Sequence, residues 1–276
     1  MGLIIKRLSS EYSAAELSAY RNIFGLLPSL VALWLSPRWH KSGRHLRVRQ
    51  WRLICMRGLI VTLAQLMFYL SLSLIAFASA TTISYSSGLF MTAFAVLLLG
   101  EHVGFIRWGA VLIGFVGVTL VVGPGRETFT LASLLPLGAA ALYALTGVTA
   151  RLIDEEVPSS LVNLYSTSVA VIGSVTLALF LGGFSLIQSA SDFAWIVTMG
   201  AFGGIAVLLL TLSYRMAEQS NLAPFSYFGI PMAFVLGWIF FGEAPIQDLF
   251  PGSILIIIGG VLIFLREHRQ RKPSKR

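Results

Sequence analysis

Apolar residues run along this chain in long stretches separated by short polar turns. A membrane-spanning helix needs ~20 mostly apolar residues, and nine stretches approach that length: Asn22 to Leu35, Ile54 to Ala76, Ala80 to Leu99, Trp108 to Val122, Leu131 to Ala150, Leu161 to Leu181, Phe193 to Ser213, Leu222 to Phe241 and Leu249 to Leu265. Short turns force neighbouring spans antiparallel. Pro28, Gly88, Gly229 and Pro231 lie inside them, which membrane helices tolerate because neighbours satisfy the freed backbone groups. The pattern predicts an all-α, polytopic membrane helix bundle. Small residues four apart, as in Gly200 with Gly204, Ala110 with Gly114 and Ala140 with Ala144, are expected where helices pack closely.

The chain aligns with itself without a gap at an offset of 142 residues, Trp51 to Val122 against Phe193 to Phe264. Its informative matches are polar or Gly: Gly58 with Gly200, Ser71 with Ser213, Ser84-Tyr85 with Ser226-Tyr227, Gly100-Glu101 with Gly242-Glu243, and Gly117 with Gly259. Upstream the register slips by three, pairing Tyr20 with Tyr165 and Gly2 with Gly147. Gly147 lies deep in its span, so the repeat is read as five helices, with nine spans present of an expected ten and most of the first lying before Met1. The halves are 1–123 and 124–276. An odd helix number inserts the two halves with opposite orientations, a design characteristic of secondary transporters.

Leu99-Gly100-Glu101 and Phe241-Gly242-Glu243 end the fourth span of each half. Glycines crowd both fifth spans (Gly109, Gly114, Gly117; Gly252, Gly259, Gly260), and Tyr20-Arg21-Asn22 and Arg57-Gly58 open two others. In these features the chain resembles the drug/metabolite transporter superfamily, and within it the EamA-type branch. The resemblance implies ten spans with both termini cytoplasmic, and it extends to amino acid exporters and carriers of S-adenosylmethionine or riboflavin.

Polar residues inside the spans are the candidate chemistry. Gly/Pro interruptions at matching positions of two halves point to a solute site; here they are Ser84-Tyr85-Ser86-Ser87-Gly88 and Ser226-Tyr227-Phe228-Gly229-Ile230-Pro231. Thr62, Gln65, Tyr69 and Ser73 form a polar stripe on the preceding span, and an unpaired amide such as Gln65 is costly in hydrocarbon. Tyr143 with Thr146, and Asn163 with Ser166 and Thr167, make weaker stripes. The substrate-binding candidates are Gln65, Tyr69, Ser84, Tyr85, Ser87, Ser226, Tyr227, Tyr143 and Arg21. Hydroxyls and glycines also serve as packing elements, so a polar cavity and dry helix contact stay open as alternatives. Arg21, Arg57, Arg151 and Arg215 lie near span ends and are expected to snorkel to the headgroups; Arg21 is the one that could attract an anionic or zwitterionic solute.

Charge then fixes orientation. Of 20 Lys and Arg against 12 acids, seven basic residues fall between Ser36 and Arg57 with no acid, and six between Arg266 and Arg276 with one. Eight crossings separate the two segments, so both face one side, which the positive-inside rule makes the cytoplasm. Basic residues so confined argue against a nucleic-acid partner. Apolar residues make up 56% of the chain and charged ones 12%, with mean hydropathy +0.81, where soluble domains carry ~25% charged.

No catalytic constellation, metal cluster or cofactor motif is found, and the single Cys55 makes no internal disulfide. No Asp or Glu falls mid-span, so coupling to protons or sodium has no obvious intramembrane carboxylate; the interfacial Glu101 and Glu243, the helix before Met1, or facilitated diffusion remain open. The expectation is a carrier of a small organic metabolite (an amino acid derivative, nucleoside-like compound or vitamin) in the cytoplasmic membrane, with the lipid bilayer as its other partner and monomer or homodimer both open. A membrane enzyme or a non-transporting scaffold is the alternative; the first would need clustered acid/base groups on one membrane face.

Overall fold

The computed structural model describes residues 1–41, 43, 46, 48–100, 104–122, 130–216, 229–243 and 249–270. All its regular elements are helical: α1 Gly2–Leu8, α2 Ala14–Trp34, α3 Pro37–Lys41, α4 Trp51–Leu74, α5 Phe77–Ser84, α6 Ser87–Leu99, α7 Phe105–Val122, a 3-10 turn at Leu131–Ser133, α8 Leu134–Ala150, α9 Ser159–Phe180, α10 Ala190–Met216, α11 Gly229–Phe241 and α12 Gly252–Gln270. No strand occurs among the described residues. Five stretches are long and apolar enough to cross a membrane, at Trp51–Leu74, Phe77–Leu99, Leu131–Ala150, Ser159–Phe180 and Ala190–Ser213, with shorter apolar helices at Trp108–Val122 and Gly229–Phe241. Large apolar side chains such as Leu59, Leu63, Phe202 and Leu209 project from these helices, as expected of surfaces that meet lipid.

Two compact units divide the chain, Met1–Ser73 with Thr149–Met216, and Leu74–Val148 with Ala217–Arg276. Each draws on both sequence halves. In the first, α2 packs against α9 and α10, and the contacts repeat across the register. A side chain at Gly58 of α4 would meet the Ser166 carbonyl and Val169 of α9; one at Gly200 of α10 would meet Phe24 and the Arg21 carbonyl of α2. Subtracting 145 from 166 and 169 gives 21 and 24. The same close approach is thus made twice, once by each half, and only glycine permits it.

The second unit pairs the fifth spans, α7 on α12. A Cβ at Gly117 would lie 2.6 Å from the Gly252 carbonyl, and one at Gly259 would lie 2.7 Å from the Ala110 carbonyl. Under the offset of 142, Gly117 corresponds to Gly259 and Ala110 to Gly252, so these two contacts are equivalents. Backbones meeting this closely gain the dispersion contacts that hold helices together where lipid removes the hydrophobic drive. Around the seam, Ile83, Leu89, Val111, Val118, Ile230 and Ile256 form the unit's apolar core.

Helix ends follow sequence chemistry. Ser13 opens α2 with a capping box: its hydroxyl accepts from the Glu16 N–H at 3.2 Å while a Glu16 carboxylate oxygen accepts from the Ser13 N–H at 2.7 Å, satisfying two orphan donors. Gly100 and Gly242 take left-handed conformations, φ +66° and +64°, which place their helices' ends without a Cβ penalty. The Glu243 carboxylate then accepts from the Phe77 N–H at 2.8 Å, so the Gly-Glu turn after α11 caps the N-terminus of α5.

Candidate functional site

The first unit holds a buried polar network that links four helices. Asn22 of α2 is its hub. Its amide nitrogen donates to Gln65 Oε1 of α4 at 2.8 Å, to the Ser174 hydroxyl of α9 at 3.2 Å and to the Ala170 carbonyl at 3.4 Å. Its amide oxygen accepts from Arg21 at 2.8 Å, and the second terminal nitrogen of Arg21 donates to the Gly203 carbonyl of α10, also at 2.8 Å. Ser18 adds a hydroxyl to Gln65 at 3.4 Å. Two turns further along α2, Asn163 of α9 donates to the Ser29 hydroxyl at 2.8 Å. Ser29 and Ser174 are repeat equivalents in the 145 register, and each receives an Asn amide from the facing helix.

Two donors in this cluster lack acceptors. Arg21 is 2% exposed and its Nε is unpartnered; Tyr69 is fully buried and so is its hydroxyl. Tyr69 stands one helical turn beyond Gln65 on α4.

In the second unit the fourth span breaks at Tyr85-Ser86, between α5 and α6. The Tyr85 ring lies over Gly229, whose missing side chain makes room for the phenol oxygen. The interrupted spans of the two halves therefore meet here. Thr82 and Ser86, four residues apart, are buried with unpartnered hydroxyls, whereas the Ser84 hydroxyl bonds back to the Ala80 carbonyl at 2.9 Å, a local alternative open to any helical Ser.

Among the sequence candidates, Arg21, Gln65 and Tyr69 are thus brought together in the first unit. Ser84, Tyr85 and Ser87 cluster at the break of the second, all half-buried. Tyr143 is half-buried on α8, where its carbonyl accepts from Thr146 at 2.7 Å. Ser226 and Tyr227 lie outside the described residues, as does Glu101. Of the α4 stripe, Thr62 is buried but Ser73 is exposed and donates to the Leu70 carbonyl.

Snorkelling is corrected for two arginines, Arg21 and Arg57. Arg21 turns inward because Gly203 offers both space and a carbonyl. Arg57 is buried beside Thr149. Arg215 donates to the carbonyls of Asp154 and Val157 and to the Ser159 hydroxyl, tying the turn between α8 and α9. Sequence reasoning missed Asn22, Ser18 and Ser174 as network members. The spacing of Ser18, Asn22, Gly25 and Ser29, which puts one polar and small stripe on a single face of α2, could have found the first two.

At the N-terminal end of α2, Glu16 joins that helix to the turn before α10: its second carboxylate oxygen accepts from the Ser185 N–H. Burial pushes its carboxyl up, but the Ser185 and Ser13 N–H groups outweigh this and hold it below the usual range. Among the described residues, no cluster of three His, Cys, Asp or Glu could hold a metal.

A repeated helical membrane architecture with a polar network inside it defines a multi-pass membrane protein of transporter class. The sequence pattern of the EamA-like transporter family matches residues 1–123 and 130–265, and the chain belongs to that family. It is 30% identical over 252 residues to the riboflavin transporter of Rhizobium johnstonii, covering 90% of this chain and 79% of that protein. It is 26% identical over 216 residues to the S-adenosylmethionine uptake transporter of Rickettsia bellii, covering 78% and 72%. The human solute carrier family 35 member G1 is 24% identical, covering 97% and 76%. A protein of known crystal structure aligns over 97% of this chain and 95% of its own with a TM-score of 0.68 at 19% identity, a likeness of fold alone.

Proposed function

We propose that the chain is a secondary carrier that moves a small amphiphilic organic metabolite, of vitamin or amino-acid-derivative type, across the cytoplasmic membrane by alternating access. The observation that carries this reading is the Arg21, Asn22, Gln65, Ser174 and Tyr69 cluster. Polar and ionisable groups at membrane depth are expensive and mark solute pathways, and here they are contributed by both repeats. The names of the relatives support the solute class: riboflavin and S-adenosylmethionine each carry a planar nitrogen heterocycle with polar substituents. Hydroxyl, amide and aromatic groups suit such a solute better than an inorganic ion. We also infer nine spans in this chain, with the basic segments cytoplasmic, and an operational division into halves 1–123 and 124–276.

A ligand at free concentration c that binds the folded chain stabilises it by RT ln(1 + c/Kd), about 2.7 kcal/mol at a hundredfold excess over Kd. Thermal unfolding of the purified chain in detergent against a metabolite panel containing riboflavin and S-adenosylmethionine therefore tests the reading. A dose-dependent rise in melting temperature with at least one organic solute is expected. A flat response across the panel, beside a clean cooperative transition, counts against it.

A further inference from the structure

We propose that the carried solute bears an anionic group, a carboxylate in the first instance, that pairs with Arg21 and Tyr69. This rests on the carrier reading above and adds the charge of the solute to it. Arg21 is buried in the first unit with its charge uncancelled: its partners are the Asn22 amide and the Gly203 carbonyl, both neutral. A guanidinium stays charged at any physiological pH, so neutralising itself is no escape. The carboxylate nearest along α2, Glu16, is committed to the Ser13 and Ser185 N–H groups, and Asp192 takes the Tyr12 hydroxyl. No span of the sequence carries an acid at its middle. Among the described residues, Arg21 is therefore a buried cation bonded only to neutral groups.

The two orphans point the same way. Arg21 Nε and the Tyr69 hydroxyl stand on different helices, α2 and α4, and both are donors without an acceptor. A water offers an acceptor but no charge; an anion entering between α2 and α4 would accept from these donors and cancel the charge as well. Gln65 cannot serve, because its acceptor oxygen already receives Asn22 and Ser18. Both orphan atoms are sealed from solvent in this conformation, so the anion enters with the opening of the bundle that alternating access requires. An inorganic anion such as chloride offers the same chemistry, and the test separates the two sources.

The purified full chain is titrated with amino acid derivatives, each beside its carboxamide twin, and with sodium chloride alone. The carboxylate members are expected to bind at least about tenfold more tightly than their twins, and Arg21→Gln to abolish that preference, since removing one partner of a buried charged pair weakens binding by about 30-fold or more. Tyr69→Phe guards against misfolding of the arginine variant. It deletes a hydroxyl that has no partner, so the ligand-free melting temperature should hold or rise while carboxylate affinity falls about 5- to 150-fold. A purely structural tyrosine would show neither split. Equal binding of the carboxamide twins, unchanged affinity in Tyr69→Phe, or full saturation by chloride alone overturns the proposal while leaving the carrier reading standing. Silence from these solutes overturns the proposal, and silence from the riboflavin- and S-adenosylmethionine-containing panel as well overturns both.

Discussion

Replacing Asn22 and Gln65 by leucine, singly and together, tests the network through its unequal wiring. In Gln65→Leu, the Asn22 amide loses its 2.8 Å acceptor but keeps Ser174 at 3.2 Å and Ala170 at 3.4 Å. The buried Ser18 hydroxyl also loses its long 3.4 Å acceptor, so the loss is that of an ordinary hydrogen bond, about 0.5–1.5 kcal/mol. Asn22→Leu strips more. Arg21 loses the acceptor of one terminal nitrogen, a charged bond worth about 1.5–3 kcal/mol, and Gln65 is left with only the 3.4 Å contact from Ser18, an orphaning worth about 1–3 kcal/mol. The single asparagine change should therefore cost about 2.5–6 kcal/mol, several times the glutamine change. Adding Gln65→Leu to Asn22→Leu removes the orphaned amide, so the double variant should be more stable than Asn22→Leu alone by about 1–3 kcal/mol. Unfolding can be followed through the one thiol, since Cys55 is half-buried and a thiol-reactive dye reports its release. Equal costs for the two single changes, or strict additivity in the double, would refute this wiring.

Further outcomes follow from other contacts. Gly229→Ala drives a Cβ into the Tyr85 phenol, and overpacking of this kind costs about 1–3 kcal/mol, read as a lower melting temperature; the same change at Gly109, with nothing within 4 Å, should be near neutral. Gly58→Ala and Gly200→Ala, equivalent contacts in the two halves, should be comparably destabilising, and a difference of several kcal/mol between them would sink the pseudo-symmetry. Glu16 has a lowered carboxyl pKa, so its contribution is present above its ordinary value of 4.5 and disappears as pH falls through the lower folded value. The melting temperature of Glu16→Gln should trail the unmodified chain at pH 7 and converge with it as pH falls below the folded value. A reporter fused after Arg276 is expected to be active only if it folds in the cytoplasm, and one inserted near Glu127 only if exported; the reverse at both sites would contradict the orientation.

Helix positions were legible because bilayer thickness imposes a length on apolar runs: Trp51–Leu74 and Ser159–Phe180 differ from the expected spans by a few residues at their ends. The break inside Phe77–Leu99 was legible from Ser86 and Gly88, and the close approaches of Gly58 and Gly200 from the repeat. Gln65 and Tyr69 could be read from periodicity, as polar positions on one face of an apolar helix. Arg21 could not. Whether a long cation near a span end turns to headgroups or inward depends on what the neighbouring helix presents, and here that is the bare backbone of Gly203, 182 residues away. Asn22 was hidden for a related reason: an amide near a span end reads as interfacial until α4 and α9 are placed around it.

The central claim is that an organic solute crosses the membrane through this chain. Counterflow measures it most directly: the chain is reconstituted into vesicles loaded with an excess of one unlabelled panel solute, and entry of the same labelled solute is followed in the absence of any ion gradient. A carrier that alternates its access should show a transient overshoot of labelled solute above equilibrium, saturable in solute and lost in Arg21→Gln. Labelled entry no faster than into protein-free vesicles, for riboflavin, S-adenosylmethionine and every other member of the panel, would contradict the account.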